Sequence, residues 1–358
     1  DVYKRQRVYS DIRNLVRRDR NHACVWMWEP ILNETWYPED FAKNTRDIVD
    51  QEYPYPYCYS GCDSGARGRE HFPVLFTHPS FDGKSWGDKD ADPKITYFTR
   101  EWGDNVDDWS SHNSPSRVAR NWGEQPMLIQ AQHYANPSYT YTCYDALYRT
   151  PRQHVGGCLW HSFDHQRGYH PDPYWGGIYD AFRQKKYAYE VFRSQSPASL
   201  QHPLAECGPM IFIAHEMSQF SDKDVVIFSN CDSVRLSIYD GTKSWTKPVI
   251  HAKGHMPNAP VIFEDVWDFW EARGYSYTQK NWQKVNMVAE GIIDGKVVCT
   301  QKKMPSRRST KLRLYADTQK VNLIADGSDF IVVVAEVTDD SGNVRRLAKE
   351  NIVFTVEG

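Results

Sequence analysis

The sequence has no long hydrophobic run and no dominant charge, and both absences narrow the range of functions. Its longest apolar stretches, PMIFIA and FIVVVA, are far shorter than the roughly 20 residues that a membrane-spanning helix needs. Lys and Arg number 43 against 46 Asp and Glu, so the formal net charge is −3. We therefore expect neither a membrane span nor a broad basic face for nucleic acid.

Sequence patterns for bound metals and phosphates are missing as well. Eight cysteines are scattered along the chain, and Cys58 and Cys62 have no second pair at zinc-site spacing. The four histidines within residues 154–170 match no zinc motif either, and there is no Gly-rich phosphate loop or G-x-S-x-G elbow. The sequence predicts no metal and no cofactor. It leaves the redox compartment open, and a periplasmic or secreted location is compatible with it.

Aromatic residues, by contrast, are abundant. They make up 14% of the chain, with 13 Trp and 22 Tyr. Trp and Tyr present flat apolar faces with a polar edge, which suit sugar rings, although the same residues fill cores and interfaces. Hydrophobic residues reach 40%, which is enough for folded cores.

The two ends of the sequence are unusual. Residues 1–6, DVYKRQ, resemble translated sequencing-adapter sequence and are set aside, while the last residues, FTVEG, directly follow a strand-like run. We interpret the chain as a piece cut at both ends. Expressed alone, it is expected to be insoluble or inactive, because a barrel that lacks strands has open edges.

Up to about residue 195, apolar runs alternate with helical segments, which predicts a parallel sheet. The predicted strands are CVWMWEPI, YPYCYS, HFPVLFTH, KITYFTREW and HVGGCLWHSF. The predicted helices are SDIRNLVRRDRNHA with Ser10 as its N-cap, FAKNTRDIVDQEY, much of the stretch from PSRVARN to CYDALYR, and IYDAFRQKKYAYEVFRS.

A Pro- and Ser-rich stretch, SQSPASLQHPLAECGP, then marks a domain boundary, after which short strands and Asp-Gly turns dominate. Residues 196–312 are predicted to form a β-sandwich, and residues 313–358 the start of an immunoglobulin-like one. These domains carry Trp245, Trp267, Trp270 and Trp282 without a recognisable site. We interpret them as spacers in preference to sugar-binding modules.

Two glutamates follow apolar strands. Glu34 ends the run VWMWEPILNE, and Glu101 lies in ITYFTREWGD. In a βα barrel, catalytic groups gather at the carboxyl ends of the strands. Glycoside hydrolysis uses such a pair, in which one acid protonates the leaving oxygen and the other carboxylate attacks the anomeric carbon or activates water. Strand-end glutamates also serve as caps and ion-pair partners.

Four motifs, in this order between residues 20 and 190, resemble glycoside hydrolase family 2, the family of β-galactosidases, β-glucuronidases and β-mannosidases. RNHACVWMWEPILNE is similar to the family's RNHPSV-then-W-then-NE signature, and REWGD resembles the strand that ends in its nucleophile. GGCLWHSFDHQRG resembles its GG-x-x-W-x-x-x-D motif, and GGIYDAFRQKKYAYE resembles its closing helix.

The resemblance implies a retaining enzyme with Glu34 as general acid/base and Glu101 as nucleophile. Asn33 would hydrogen-bond the sugar 2-hydroxyl, and Trp160 would form a wall of the subsite for the cleaved sugar. Asp164 also matches, either as a substrate contact or as a residue that supports such contacts. Since retention needs two carboxyl groups about 5–5.5 Å apart, positions 34 and 101 are expected to meet across one pocket.

Three residues depart from the family pattern. The chain is one residue longer before its Asn-Glu pair and carries a rival carboxylate, Glu29, which we interpret as structural. His78 stands near the family's usual Tyr, and would replace it, contact substrate or be structural. Arg100 precedes Glu101, where a small residue is usual. It would lower the pKa of Glu101, bind an anionic group on the substrate, or form an ion pair.

The fold implied by the resemblance is α/β, with residues 7–195 as part of a (β/α)8 TIM barrel, about strands four to eight, followed by immunoglobulin-like sandwiches. The implied activity is exo-hydrolysis of terminal β-linked sugars from a carbohydrate substrate, foremost of β-galactosidase type. The alternatives are a β-glucuronidase, a β-mannosidase or a sulfated or algal galactan glycosidase of the same family, and a non-catalytic carbohydrate-binding protein on this fold.

Overall fold

The computed structural model describes residues 2–32, 37–55, 59–79, 94–102, 123–135, 143–166, 174–203, 205–252, 255–317, 322–345 and 348–357. The chain divides into two compact units. The first comprises Asp1–Val106 and Asn136–Ser162, and the second comprises Asp107–Ala135 and Phe163–Gly358. Within the described ranges, no helix is both long and apolar enough to cross a membrane.

A five-stranded parallel sheet forms the centre of the first unit. Its strands are β1 (Met27–Trp28), β2 (Tyr59–Asp63), β3 (Val74–Phe76), β4 (Thr96–Trp102) and β5 (His154–Leu159). They follow one another in the order β1-β2-β3-β4-β5, and every neighbouring pair is parallel. The parallel sheet predicted from the alternating pattern is thereby confirmed. All five strands therefore end at the same edge of the sheet.

Helices α1 (Val2–Asp19) and α2 (Glu39–Glu52) pack against each other beside β1, and a short helix α4 (Tyr144–Tyr148) precedes β5. Trp28 of β1 is buried in one cluster with apolar side chains of both longer helices. Arg17 of α1 donates two hydrogen bonds to Glu52 of α2, at 2.7 and 2.8 Å. The packing of α1 thus follows from its apolar stripe and from charged contacts with α2.

The prediction that the first helix begins with Ser10 as its N-cap was wrong, because α1 already begins at Val2. Its early residues include good helix formers and neither Gly nor Pro, so nothing stops the helix before Ser10. Arg5 also pairs with Asp40 of α2 at 2.9 Å. The buried stripe of α1 contains Ile12 and Val16.

Two strands of the first unit have other bounds than predicted. The predicted strand CVWMWEPI contains only the two residues of β1, and its neighbour β2 begins at Tyr59 and ends at Asp63, later than the predicted YPYCYS. The prolines within YPYP disfavour a strand there, because proline cannot donate to the ladder. The end of β2 therefore carries a carboxylate, Asp63.

Helices α3 (Glu124–Ala135) and α5 (Tyr187–Ser194) pack together in the second unit. The predicted closing helix IYDAFRQKKYAYEVFRS is helical only from Tyr187 onward. Upstream, the Asp180 side chain accepts hydrogen bonds from the backbone N–H groups of Phe182 and Gln184, at 2.9 and 2.8 Å. Such a side-chain turn competes with the helix for the same backbone groups.

Three antiparallel sheets make up most of the second unit. The first has the order β10-β7-β6, the second β12-β11-β8-β9, and the third pairs β13 with β14. Their strands are β6 (Ile211–Ala214), β7 (Val225–Ser229), β8 (Ser233–Ile238), β9 (Lys243–Pro248), β10 (Val261–Phe263), β11 (Met287–Ile293), β12 (Lys296–Lys303), β13 (Lys311–Asp317) and β14 (Val332–Thr338). Apolar side chains of the first two sheets, such as Ile227 and Leu236, share one core.

The Asp-Gly turn signals are confirmed at two hairpins of the second sheet. Asp240 and Gly241 join β8 to β9 with φ angles of 56° and 78°, and Asp294 and Gly295 join β11 to β12 with 50° and 72°. Positive φ at both central residues is typical of the hairpin turns that match strand twist.

A glycine in β11 lies against two thiols. The sulfurs of Cys231 and Cys299 are 3.7 Å apart, and a Cβ atom built on Gly291 would lie 2.5 and 2.6 Å from them. The side chains of Cys231 and Cys299 therefore fill the space that a side chain at position 291 would need. This close approach explains why glycine occupies the middle of a paired strand, where it is otherwise unfavourable.

We expect Gly291→Ala to lower the free energy of unfolding by about 1–3 kcal/mol, because the added methyl group overpacks the core against both sulfurs. Urea unfolding measures the loss. The matched control is Gly274→Ala, since nothing lies within 4 Å of a Cβ at that position. Equal stability of the two variants would contradict the packing explanation.

Candidate active site

A pocket of about 260 Å³ opens where β2, β3 and β4 end in the first unit. Ligands of parallel α/β sheets usually bind outside the carboxyl ends of the strands. The residues that line this pocket come from the ends of the three strands and from the turns after them: Asp63, Ser64, Gly65, Phe76, Thr77, His78, Thr99, Arg100 and Glu101. The structure thus brings three of the predicted site residues together, namely His78, Arg100 and Glu101.

Arg100 and Glu101 lie in a part of β4 where the register with β5 shifts. Strand β4 pairs with β5 at Tyr97 and Trp102 in one register, but Thr99 between them pairs with Gly157, out of that register by one residue. Such bulges re-aim side chains and are frequent beside active sites. Adjacent residues of a regular strand point to opposite faces, whereas here consecutive Arg100 and Glu101 both line the pocket.

Arg100 bridges two carboxylates. Its Nη1 donates to Oε1 of Glu29 at 2.8 Å, and its Nη2 lies 3.8 Å from Oε1 of Glu101. The guanidinium also lies 5.5 Å from the ring centroid of Phe76, and its side chain is only 13% exposed. Of the roles predicted for Arg100, the ion pair is the one that the structure shows. The contact with Glu29 also fits the interpretation of that residue as structural.

His78 is held in its neutral form at the same edge. Burial lowers the pKa of its imidazole, and the positive charge of Arg100 lowers it further, although Asp63 opposes both. At neutral pH the ring therefore carries no charge, and it can both donate and accept a hydrogen bond. A neutral hydrogen-bonding side chain is compatible with the substrate-binding role predicted for this residue.

The sequence reasoning missed Asp63, which lines the pocket, and Tyr37, which lies close enough to Asp63 for their charges to interact. Burial raises the pKa of Tyr37 to about 12, and the negative charges of Asp63 and Glu29 add to this effect. Burial likewise raises the pKa of Cys62 to about 12, so this thiol is no nucleophile at neutral pH. The strand-end rule that selected Glu101 would have found Asp63 if β2 had been placed correctly.

Trp160 follows β5 directly. Its backbone N–H donates to the carbonyl oxygen of Trp102 at 2.8 Å, which continues the pairing of β4 with β5 by one residue. The peptide bond between Trp160 and His161 is cis, and the two rings lie 5.0 Å apart. Trp160 thus stands at the carboxyl end of its strand, as its predicted role as a subsite wall requires.

Asp164, in the second unit, forms a buried ion pair. Lys186 lies 2.6 Å from one oxygen of the carboxylate, and both side chains are less than 5% exposed. The N–H of Gly177 donates to Oδ1 of Asp164 at 3.0 Å, while Lys186 also donates to the carbonyl oxygen of Trp175 at 3.0 Å. Burial raises the pKa of Asp164 to about 6 against the opposing effect of Lys186.

The ion pair fixes the segment that carries Gly176 and Gly177. A Cβ on Gly177 would lie 2.3 Å from the backbone nitrogen of Asp164, and Gln130 of α3 donates to the carbonyl oxygens of both glycines. Of the two roles that the sequence left open for Asp164, this arrangement fits the supporting one. Its role as a substrate contact stays a prediction.

We expect Lys186→Met to destabilise the protein by about 3–5 kcal/mol, because it leaves the Asp164 carboxylate buried without its partner. Chemical denaturation measures the change. Lys185→Met is the matched control, since Lys185 pairs with Glu206 at the surface and such pairs contribute about 0–1 kcal/mol. Adding Asp164→Asn to the first variant should restore much of the loss, and similar losses for the two lysines would refute this account.

Glu34 and Asn33 lie outside the described residues. The predicted approach of Glu34 to Glu101 therefore stays a prediction, as does the hydrogen bond of Asn33 to a sugar hydroxyl. Among the described residues, Glu39, Glu70 and His71 come within 4.8 Å of one another. Exposed acidic groups often meet without an ion, so the absence of a metal also stays a prediction.

Comparison with known proteins identifies relatives along almost the whole chain, although no family model matches it. A β-galactosidase of Thermoanaerobacter pseudethanolicus is 26% identical over 360 residues, which is 98% of this chain and 44% of the relative. A β-glucuronidase of Formosa agariphila is 23% identical over 378 residues, 98% of this chain and 33% of the relative. The chain thus spans less than half the length of these curated relatives.

Solved structures share the fold. A β-glucuronidase from glycoside hydrolase family 2 matches 95% of this chain and 33% of its own, with a TM-score of 0.60 and 21% identity. A β-glycosidase from Bacteroides vulgatus matches 94% of this chain and 43% of its own, with a TM-score of 0.58 and 17% identity. Both neighbours are glycosidases by name, and at these identities their likeness to this chain shows a shared fold. The chain is thus similar to a protein of glycoside hydrolase family 2 along 95% of its length, and to enzymes named β-galactosidase and β-glucuronidase along 98%.

Proposed function

We propose that the protein is a retaining exo-β-glycosidase that removes terminal β-linked sugars by double displacement. Glu101 is the nucleophile, and its position in the pocket at the carboxyl edge of the parallel sheet is the observation that carries the proposal. Glu34 is the general acid/base, and Asn33 holds the sugar 2-hydroxyl. The names of the curated relatives support a carbohydrate substrate.

The finer architecture belongs to the same proposal. Strands β1 to β5 correspond to about strands four to eight of a (β/α)8 barrel, within a domain of residues 7–195. Residues 196–312 and 313–358 form two β-sandwich domains, the second immunoglobulin-like. Strand β13 begins at Lys311 and pairs along its whole length with β14, so the second boundary is better placed just before this strand.

Arg100 positions the nucleophile. With one nitrogen on Glu29 and another 3.8 Å from Glu101, its guanidinium limits where the Glu101 carboxylate can rest. A positive charge beside a carboxylate also favours the ionised form that a nucleophile needs. His78 and Asp63 on the neighbouring strand ends then supply polar atoms for the hydroxyl groups of a sugar.

The pocket favours a neutral sugar, which supports the β-galactosidase type. The one arginine among the described lining residues already contacts two carboxylates, so a uronate would have to compete with Glu29 for it. Two of the three curated relatives are named β-galactosidases. The alternative is a β-glucuronidase, which the name of the Formosa agariphila relative favours.

A panel of aryl β-glycosides tests the proposal on the whole protein. We expect hydrolysis of the β-galactoside to exceed that of the β-glucuronide and β-mannoside in kcat/KM. Retention is tested by following the anomer that is first released with NMR. Release of the inverted anomer would refute double displacement, and faster turnover of the glucuronide would replace the first specificity with the second.

A further inference from the structure

The segment after β10 has one buried and one exposed face. Helix α6 (Phe269–Arg273) continues into a π-helical turn, Gly274–Thr278. Phe269, Ala272 and Tyr275 pack on the core shared by the two larger sheets. Because residues three to four apart share a helix face, the residues between them point outward.

The outward face consists of two aromatic rings with an arginine between them. Trp270 is 70% exposed and Tyr277 is 75% exposed. The Arg273 guanidinium lies 5.4 Å from the ring centroid of Trp270 and 5.2 Å from that of Tyr277. Since the rings keep most of their surface free, the guanidinium covers only a small part of either one. Large exposed aromatics of this kind commonly mark binding surfaces.

The side chains of the other tryptophans in these domains already contact neighbouring residues. Trp267 is buried and donates from its indole to the carbonyl oxygen of Ser218 at 3.0 Å. Trp245 packs on the same core, and Arg307 lies 3.8 Å above the ring of Trp282. Trp270 is therefore the tryptophan of this group that presents its ring to solvent.

The charge of Arg273 is not balanced locally. Asp268 is the N-cap of α6 and accepts hydrogen bonds from the backbone N–H groups of Trp270 and Glu271. Glu271 pairs with Lys243 at 2.7 Å. Within the described part of the chain no carboxylate forms an ion pair with Arg273, so its donors are available to an incoming anion.

We propose that Trp270, Arg273 and Tyr277 form a platform that binds an anionic saccharide. The C–H face of a pyranose ring is apolar and packs on the flat face of Trp or Tyr, while a guanidinium matches a carboxylate or sulfate with two parallel hydrogen bonds. The two exposed rings and the cation beside both of them thus fit a polymer that carries uronate or sulfate groups. This platform belongs to the second unit and shares no residue with the pocket, so the proposal goes beyond the proposed hydrolysis.

Affinity gel electrophoresis of the whole protein tests the platform, with polygalacturonate, a sulfated galactan and an uncharged galactan as probes. We expect one or both anionic polymers to retard the protein and the uncharged one to leave it unaffected. Arg273→Gln should weaken binding about tenfold, as loss of a charge-assisted contact does, and Trp270→Ala should weaken it by a similar factor because the stacking face is lost. Arg273→Lys should weaken it less than Arg273→Gln.

Two matched variants separate the platform from general surface effects. Phe220→Ala removes an 80% exposed aromatic ring elsewhere in the unit, and Lys296→Gln removes an exposed charge at the first residue of β12. Neither should change retardation. Equal losses from Lys296→Gln and Arg273→Gln, equal binding of charged and uncharged galactans, or no retardation at all would overturn the proposal. Activity on a small aryl glycoside stays unchanged in the platform variants, so either proposal can fail alone.

Discussion

Glu101→Gln is expected to reduce kcat on an aryl β-galactoside by several orders of magnitude with little change in stability. An amide cannot form the glycosyl ester on which double displacement depends, while its size matches the carboxylate that contacts Arg100. Steady-state kinetics measures the loss. A fluorinated, slowly hydrolysed glycoside should label the wild-type peptide that carries Glu101, which mass spectrometry detects.

Glu70→Gln is the control for this substitution. Glu70 is an exposed glutamate of the same unit and does not line the pocket. Its replacement should leave kcat within about twofold of the wild type, as for a surface substitution. A label on Glu29, or a Glu101→Gln variant that keeps wild-type turnover, would remove Glu101 from the role of nucleophile.

Glu34→Gln is expected to lower kcat/KM by about 10²–10⁴-fold, the usual contribution of a general acid/base. The loss should be largest for substrates with a poor leaving group, because such a group needs a proton as the glycosidic bond breaks. It should shrink for a dinitrophenyl glycoside, whose leaving group needs none. Kinetics with two leaving groups on one sugar measures the difference.

The rival carboxylate provides the comparison. Glu29→Gln removes the carboxylate that accepts a hydrogen bond from Arg100 at 2.8 Å. Because this change acts through the position of Glu101, it should lower kcat/KM by the same factor for both leaving groups. If instead Glu29→Gln shows the dependence on leaving group and Glu34→Gln does not, Glu29 is the acid/base. The result thus separates direct proton transfer from a positioning effect.

Much of the sheet order could be predicted from the sequence, because parallel strands buried on both faces give continuous apolar runs. The run ITYFTREW became β4 (Thr96–Trp102), and HFPVLFTH contains β3. The Asp-Gly pairs located the hairpins because their backbone needs positive φ, which these residues tolerate at low cost. Local chemistry was sufficient at these places.

Contacts between side chains that are far apart in the chain could not be predicted from the sequence. The contact of Glu29 with Arg100 joins residues 71 positions apart, and the ion pair of Asp164 with Lys186 depends on burial that no local pattern reveals. Predicting β2 too early hid Asp63 from the strand-end rule. Similarly, the interpretation of the β-domains as spacers rested on the lack of a recognisable site in their sequence, and side-chain exposure, which distinguishes Trp270, is not readable there.

The displaced stretch of β4 has a consequence for engineering this pocket. Tyr97 and Trp102 are five residues apart, as are their partners His154 and Leu159, so the strands regain their original alignment after the Thr99–Gly157 pair. The one-residue register shift at Thr99 is thus reversed before the strand ends, and it is confined to the wall of the pocket. Variant libraries that change side chains or loops at this wall can therefore alter specificity while the hydrogen bonds between β4 and β5 before and after the shift keep their register.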